Sequence, residues 1–225
     1  MDADRNREVG FRLYLITDRK LVAPHGLVAA CEEALAAVAD RPGSIALQLR
    51  EKDLDGRELF ELAVALRALC SRYGARFLVN DRIDVAIASN ADGVHLPTTS
   101  FSPADARALI GSSRMIGVST HSPEEVARAS AVGADFAVYG PVFTPTSKSL
   151  DYGAARGVEG LSAACRDAKI PVYALGGITS ERMPLLRGSG AAGVAAIGAV
   201  LGASSPGHAM RALLDSAERT FAKSD

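Results

Sequence analysis

Tryptophan is missing from the 225 residues, and seven Phe and five Tyr supply every aromatic ring. With 48% of the chain apolar, that composition suits one large α/β domain about as well as two small ones and leaves domain number open. Net charge is equally scant: 25 Lys and Arg against 26 Asp and Glu leave −1, with both signs scattered along the chain. Such a surface has no electrostatic footprint for nucleic acid or an anionic membrane, so broad polyanion binding is excluded. No apolar run approaches the roughly 18 to 20 residues that a membrane span requires. The polar, acid-bearing start MDADRNREVG is unlike a signal or transit peptide, and the expected location is the cytoplasm. Cysteine is limited to Cys31, Cys70 and Cys165, which lack metal-ligand spacing and are expected to be reduced, mostly buried thiols without chemistry. Also absent are a GxGxxG opening a helix and any low-complexity linker.

What the chain does have is a recurring short apolar run followed by a longer stretch with helical spacing. FRLYLIT, SIALQLR, ARFLVN, DGVHL, RMIGVST, DFAVYG, IPVYALGG and GVAAIGAV make eight candidate strands. Between them lie helix signals. In Asp55 to Tyr73, Leu59, Leu62, Ala63 and Leu66 share one face and Gly74 follows as a stop, while Ser122-Pro123-Glu124-Glu125 combines a cap, a first-turn proline and two acids. Strand then helix, repeated about every 28 residues without a break in composition, predicts a (β/α)8 TIM barrel as a single domain over residues 1–225. A doubly wound open sheet is the alternative, because periodicity does not reveal closure.

In a barrel the chemistry belongs at the C-terminal strand ends. Strand two ends in Gln48, Arg50 and Lys52, which are two apart and so point to one side of an extended chain. An Arg fork and a Lys charge converging there suit a phosphate or diphosphate, with Gln48 adding a neutral donor and acceptor. A solvated loop, with these cations paired to Glu51 and Asp53, is the other reading, and the residues alone leave both open. Asn80 and Asp81 after strand three offer hard oxygen ligands for Mg2+ shared with a phosphate, although a helix cap, for which Asp84 competes, accounts for an Asp there too. His95 ends strand four, and Ser119 and His121 end strand five. Each histidine is an acid/base candidate whose ordinary alternative is a hydrogen-bonded structural role.

A second anion site is expected where Gly176 and Gly177 follow strand seven into a predicted helix start, with Gly198 at the end of strand eight giving a phosphate room to approach. Two anionic groups suggest two substrates. Thr144, Thr146 and Ser147 of the TPTSK loop offer hydroxyls to that second phosphate. Lys148 reaches towards a leaving group, and Gly140 and Gly153 would let the loop fold as a lid.

Taken in order, LYLITD, QLREKD, LVNDR with DGVHL, GVSTHS, GPVF with its Thr/Ser-Lys loop, and ALGGI resemble the thiamine phosphate synthase/TenI superfamily from about residue 12 to residue 202. Each motif is weak alone, and the ordered set is specific. The resemblance implies a (β/α)8 barrel in thiamine biosynthesis. In the synthase branch it implies a transferase that joins hydroxymethylpyrimidine diphosphate to hydroxyethylthiazole phosphate and releases pyrophosphate. By matching position Gln48, Arg50 and Lys52 would hold the pyrimidine diphosphate, Asn80 and Asp81 would serve diphosphate and Mg2+, Lys148 would face pyrophosphate, and Ser119 would contact substrate. Ser147, Gly177, Ile197 and Gly198 would line the thiazole phosphate site.

Three positions depart from the synthase pattern. Ser100 stands where a second metal carboxylate is usual, Pro145 replaces a phosphate-contacting Thr, and Gly198 stands where many synthases have Ser. Loss of the metal carboxylate is shared with the TenI branch, whose thiazole phosphate carboxylate tautomerisation needs no metal and uses a histidine that His121 matches. That tautomerase is the alternative expectation, and a non-enzymatic thiazole phosphate binding protein is a third. The expected partners are small phosphorylated pyrimidine and thiazole molecules, with homo-oligomer formation left open.

Overall fold

The computed structural model describes residues 9–22, 26–144 and 153–222. Its strands are short and mostly buried: β1 Leu13–Ile16, β2 Ile45–Leu49, β3 Arg76–Asn80, β4 Gly93–Leu96, β5 Met115–Thr120, β6 Phe136–Tyr139, β7 Val172–Leu175 and β8 Gly193–Ala196. All pair in parallel, and β8 returns to β1 with Val194 opposite Leu13, so the sheet closes into a barrel and the open-sheet alternative falls away. Around it run α1 Leu27–Ala36, α2 Gly56–Arg72, α3 Ile83–Ala88, α4 Pro103–Ile110, α5 Pro123–Ala131, α6 Gly157–Arg166, α7 Gly198–Leu201 and α8 Pro206–Thr220.

Period-two alternation sorts each strand's side chains between two cores. Leu13, Leu15, Leu47, Phe77, Val94 and Ala137 face the helices and merge with their apolar stripes. Tyr14, Ile16, Ala46, Leu78, Phe136, Val138, Tyr173 and Ala195 fill the barrel. Four of the scarce aromatics concentrate inside it. Phe11 stacks on Tyr173 with centroids 4.6 Å apart, and Phe136 stands edge-on to Phe11, Tyr14 and Tyr173. Gly117 makes room for that ring, since a Cβ there would lie 2.3 Å from Phe136 Cζ. The barrel is thus plugged below, and its open end is where the strands finish.

Helix boundaries follow local chemistry. Asp55 and Glu58 form the reciprocal cap of α2, and Ser122 caps α5 ahead of Pro123. Two expectations are corrected. No α-helix follows Gly177; Pro184 and the left-handed Gly188 and Gly190 restrict that segment to a 3-10 turn, Met183–Leu186. Strand eight stops at Ala196, so Gly198 opens the single-turn α7 rather than ending the strand, because Ile197 (φ −121°, ψ −87°) has already left extended geometry. Cys31 and Cys70 are buried and Cys165 partly so, all three as free thiols, and burial pushes those of Cys31 and Cys165 up to about 12. Among the described residues no helix is long and apolar enough to cross a membrane.

Candidate active site

A cavity of about 330 Å³ opens at the C-terminal mouth of the barrel. It gathers Gln48, Arg50 and Lys52 from β2 and its loop, Asn80 from β3, His95 from β4, Ser119 and His121 from β5, Gly176 and Gly177 after β7, and Ile197 and Gly198 after β8. Register explains part of the convergence: Asn80 pairs with His95, and Ser119 lies two residues beyond Gly117, the partner of His95, so it shares the inward face with that position. Ile16, Val138, Leu175 and Ala195 give the cavity its apolar wall. Asp81 and Thr144 lie outside its lining, and Thr146, Ser147 and Lys148 lie outside the described residues.

The open question at Arg50 and Lys52 is answered by their neighbours. Glu51 and Asp53 do not pair with them. Glu51, whose side chain is only 3% exposed, accepts from the Arg19 backbone N–H (3.0 Å) and Nη1 (3.3 Å), while Asp53 binds both Arg19 nitrogens and Lys20 Nζ. Among the described residues no carboxylate forms an ion pair with Arg50 or Lys52, and both side chains line the cavity. Thr17 Oγ1 accepts from the Arg50 backbone N–H at 2.8 Å and fixes where the strand ends.

Below these cations sit two polar pairs, the first buried and the second partly so. Gln48 Nε2 donates to the Tyr14 hydroxyl at 2.9 Å, and desolvation holds that phenol protonated, its pKa well above the ordinary value. His95 Nε2 and Ser119 Oγ are 3.0 Å apart. Burial, reinforced by the nearby Arg50 charge, lowers the His95 pKa to about 3, so its ring is neutral near pH 7 and its Nδ1 has no hydrogen-bond partner among the described residues. His95 is therefore a neutral hydrogen-bonding group at the mouth. His121 differs: its Nδ1 lies 2.6 Å from the Gly140 carbonyl, which can only accept, so Nδ1 carries the hydrogen and Nε2 is the free nitrogen. Its backbone N–H donates to Glu125 at 2.6 Å.

Asp81 takes a positive φ of 64° and its carboxylate accepts from the Ser100 hydroxyl. It caps no helix: α3 starts without a side-chain cap, and Asp84 instead binds Arg82 at 2.6 and 2.8 Å. A second cavity of about 310 Å³, adjoining the first through Lys52, Asn80, Pro97 and Thr99, brings Asp81 beside Lys52 and Asn80. One carboxylate, an amide oxygen and a hydroxyl are hard donors that fit Mg2+, and only if substrate oxygens complete the shell. Among the described residues no three His, Cys, Asp or Glu cluster as a self-sufficient metal site.

On the opposite rim the glycine turn is interlocked with the loop after β6. Gly176 and Gly177 have φ of 102° and 60°, and a Cβ on Gly177 would meet the Thr144 carbonyl oxygen at 2.6 Å. Phe143 N–H donates to Gly176 O (3.0 Å), Arg182 Nη1 donates to Gly177 O (3.0 Å), and the Arg182 guanidinium lies over the Phe143 ring. Sequence reasoning missed Tyr14, Arg19 and Arg182. Tyr14 was findable, since it shares the inward face with Ile16; the two arginines act through partners that no local pattern announces.

The profile of the thiamine monophosphate synthase family matches residues 13–200. The chain belongs to this family. Thiamine-phosphate synthases of Chlorobium luteolum and Xanthobacter autotrophicus are 45% and 39% identical to it, over 77% and 89% of this chain and 82% and 92% of theirs. The thiamine phosphate pyrophosphorylase of Pyrococcus furiosus superposes with a TM-score of 0.82 at 36% identity, covering 96% of this chain and 98% of that one. In this thiamine monophosphate synthase family member, Ser100, which stands where the resemblance led to the expectation of a carboxylate, donates a hydrogen bond to Asp81.

Proposed function

We propose that the protein is a thiamine-phosphate synthase, joining hydroxymethylpyrimidine diphosphate to hydroxyethylthiazole phosphate with release of pyrophosphate. The observation that carries this reading is Arg50 and Lys52 at the mouth, without a carboxylate partner among the described residues, above Gln48 and beside Asn80, in a chain whose relatives bear that name. In the reaction the bond from the pyrimidine methylene to the diphosphate breaks, pyrophosphate keeps the electron pair, and the thiazole nitrogen supplies the pair for the new C–N bond. Arg50 and Lys52 stabilise the charge that grows on the departing diphosphate, which is catalysis by preorganised electrostatics. Lys148 belongs to the same array by its sequence position.

Gln48, Asn80 and Ser119 orient the pyrimidine half, and the apolar wall of Ile16, Val138 and Leu175 keeps water from the cationic carbon. Gly176, Gly177, Ile197 and Gly198 leave room for the thiazole phosphate to approach the backbone on the opposite rim; Thr144, Thr146 and Ser147 are assigned to that phosphate by their sequence positions alone. Asp81, with Asn80 and Ser100 beside it, would hold Mg2+ between protein and diphosphate; when bound, the ion neutralises leaving-group charge. His121 carries no step.

The test follows thiamine phosphate as thiochrome fluorescence, using purified protein, both substrates and Mg2+. Product should form, and Arg50→Ala should reduce kcat/KM by about a thousand-fold with the melting temperature unchanged. Conversion of a carboxythiazole phosphate tautomer that survives Arg50→Ala and is lost in His121→Ala, with no thiamine phosphate made, would overturn the synthase reading.

A further inference from the structure

The segment Arg50-Glu51-Lys52-Asp53 alternates in sign, and by itself it would largely neutralise its own cations. In the folded protein the alternation becomes a spatial sorting. Arg50 and Lys52 line the mouth cavity and Glu51 and Asp53 do not; Glu51 lines the adjoining cavity with Lys52, Asn80 and Asp81, and both carboxylates are bound by the loop after β1. Arg19 does most of this. Its backbone N–H and Nη1 reach the two oxygens of Glu51, and Nη1 and Nη2 reach the two oxygens of Asp53, a double engagement that suits a planar guanidinium and not an ammonium. Lys20 Nζ adds a contact of 3.1 Å to Asp53. Arg19 itself lines neither cavity.

We propose that Arg19, assisted by Lys20, is a positioning residue for the diphosphate site: it engages the carboxylates of Glu51 and Asp53 so that neither pairs with Arg50 or Lys52, and both cations meet the diphosphate uncompensated. This rests on the synthase reading and assigns its anion affinity to a residue that touches no substrate. The Arg19 and Lys20 contacts hold the Asp53 carboxylate well below the usual carboxylate range; without them it returns to its ordinary value of about 4, still charged at neutral pH and left to compete for a cation.

The test measures binding of inorganic pyrophosphate by calorimetry in Mg2+ buffer, alongside kcat and KM for both substrates. Arg19→Gln should weaken pyrophosphate roughly ten-fold and lower kcat/KM for the pyrimidine diphosphate at least as much, leaving KM for the thiazole phosphate near wild type. Arg19→Lys should fall between. Removing the released acids as well, in Arg19→Gln/Glu51→Gln/Asp53→Asn, should restore both values, which no loss of mere loop structure would allow. Wild-type affinity in Arg19→Gln overturns the inference, as does weakening that the triple variant fails to rescue. Wild-type protein that binds no pyrophosphate overturns the synthase reading itself, a separate result.

Discussion

Gly177→Ala is the substitution whose consequence the geometry specifies most fully. Gly177 sits at φ 60°, where an alanine costs about 1 to 2 kcal/mol in backbone strain. Its new Cβ would also stand 2.6 Å from the carbonyl oxygen of Thr144, and that oxygen belongs to backbone rather than to a side chain that can swing aside. To reach ordinary contact the loop after β6 must retreat by about 0.8 Å. The retreat pulls on the Phe143-to-Gly176 hydrogen bond and displaces the rim expected to receive the thiazole phosphate.

A shift near 1 Å in a positioned site costs on the order of a hundred-fold in rate, and 2 to 3 kcal/mol of lost stability lowers the melting temperature of a chain this size by roughly 4 to 10 °C. We therefore expect kcat/KM for hydroxyethylthiazole phosphate to fall about a hundred-fold, KM for the pyrimidine diphosphate to stay within roughly two-fold, and the melt to drop by that amount. Gly133→Ala supplies the control. It too has a positive φ, 91°, but a Cβ there meets nothing within 4 Å, and it lies at the opposite end of the barrel, so it should lower the melt modestly and leave both KM values alone. Equal behaviour of the two variants in the kinetic assay would sink the claim that Gly177 serves the site through close approach.

The remaining predictions concern the two groups that depart most from ordinary behaviour. His95 is neutral when folded, its pKa depressed to about 3 by burial, and it protonates near 6.5 when unfolded. The unfolded state therefore binds more protons between those values, so this stability term is fully present above about pH 6.5 and declines as pH falls through that window. The wild type should lose about 2 kcal/mol between pH 7 and pH 5, and the loss should shrink in His95→Gln when unfolding is followed by urea at each pH. At Ser100, a carboxylate beside Asp81 restores a second anionic ligand. Ser100→Asp should lower the Mg2+ concentration for half-maximal activity by about ten-fold and enlarge the Mg2+-induced rise in melting temperature, while melting below wild type in chelator because like charges then face each other.

Strand ends were legible because a buried parallel strand tolerates few polar residues, so Gln48, Asn80, His95 and Ser119 had to be at mouths or be paid for by partners. Closure was not legible, since the β1–β8 ladder joins residues nearly the full chain apart and leaves no local mark. The eighth strand's end and the helix after Gly177 were misread for one reason. GVAAIGAV and GGITSERM are runs whose small or capping residues suit both outcomes locally, and Pro184, Gly188 and the turn at Ile197 decided them.

The charge sorting at Arg50 shows what kind of information a linear reading lacks. From the sequence alone Glu51 and Asp53 were the nearest partners available to Arg50 and Lys52, and proximity along the chain made a neutral loop as reasonable as an anion site. The strand, however, stops at Leu49 and Lys52-Asp53 form a turn, so the side each of these four residues takes is set by the fold around it and not by strand alternation. Which side receives a counterion is then decided by the adjacent strand's loop. The β1–β2 register, with Ile16 opposite Gln48, carries the loop that bears Arg19 alongside Glu51, whose carboxylate it binds. A charge at the mouth thus depends on a residue 31 positions earlier, and the Arg19 variants test this dependence directly.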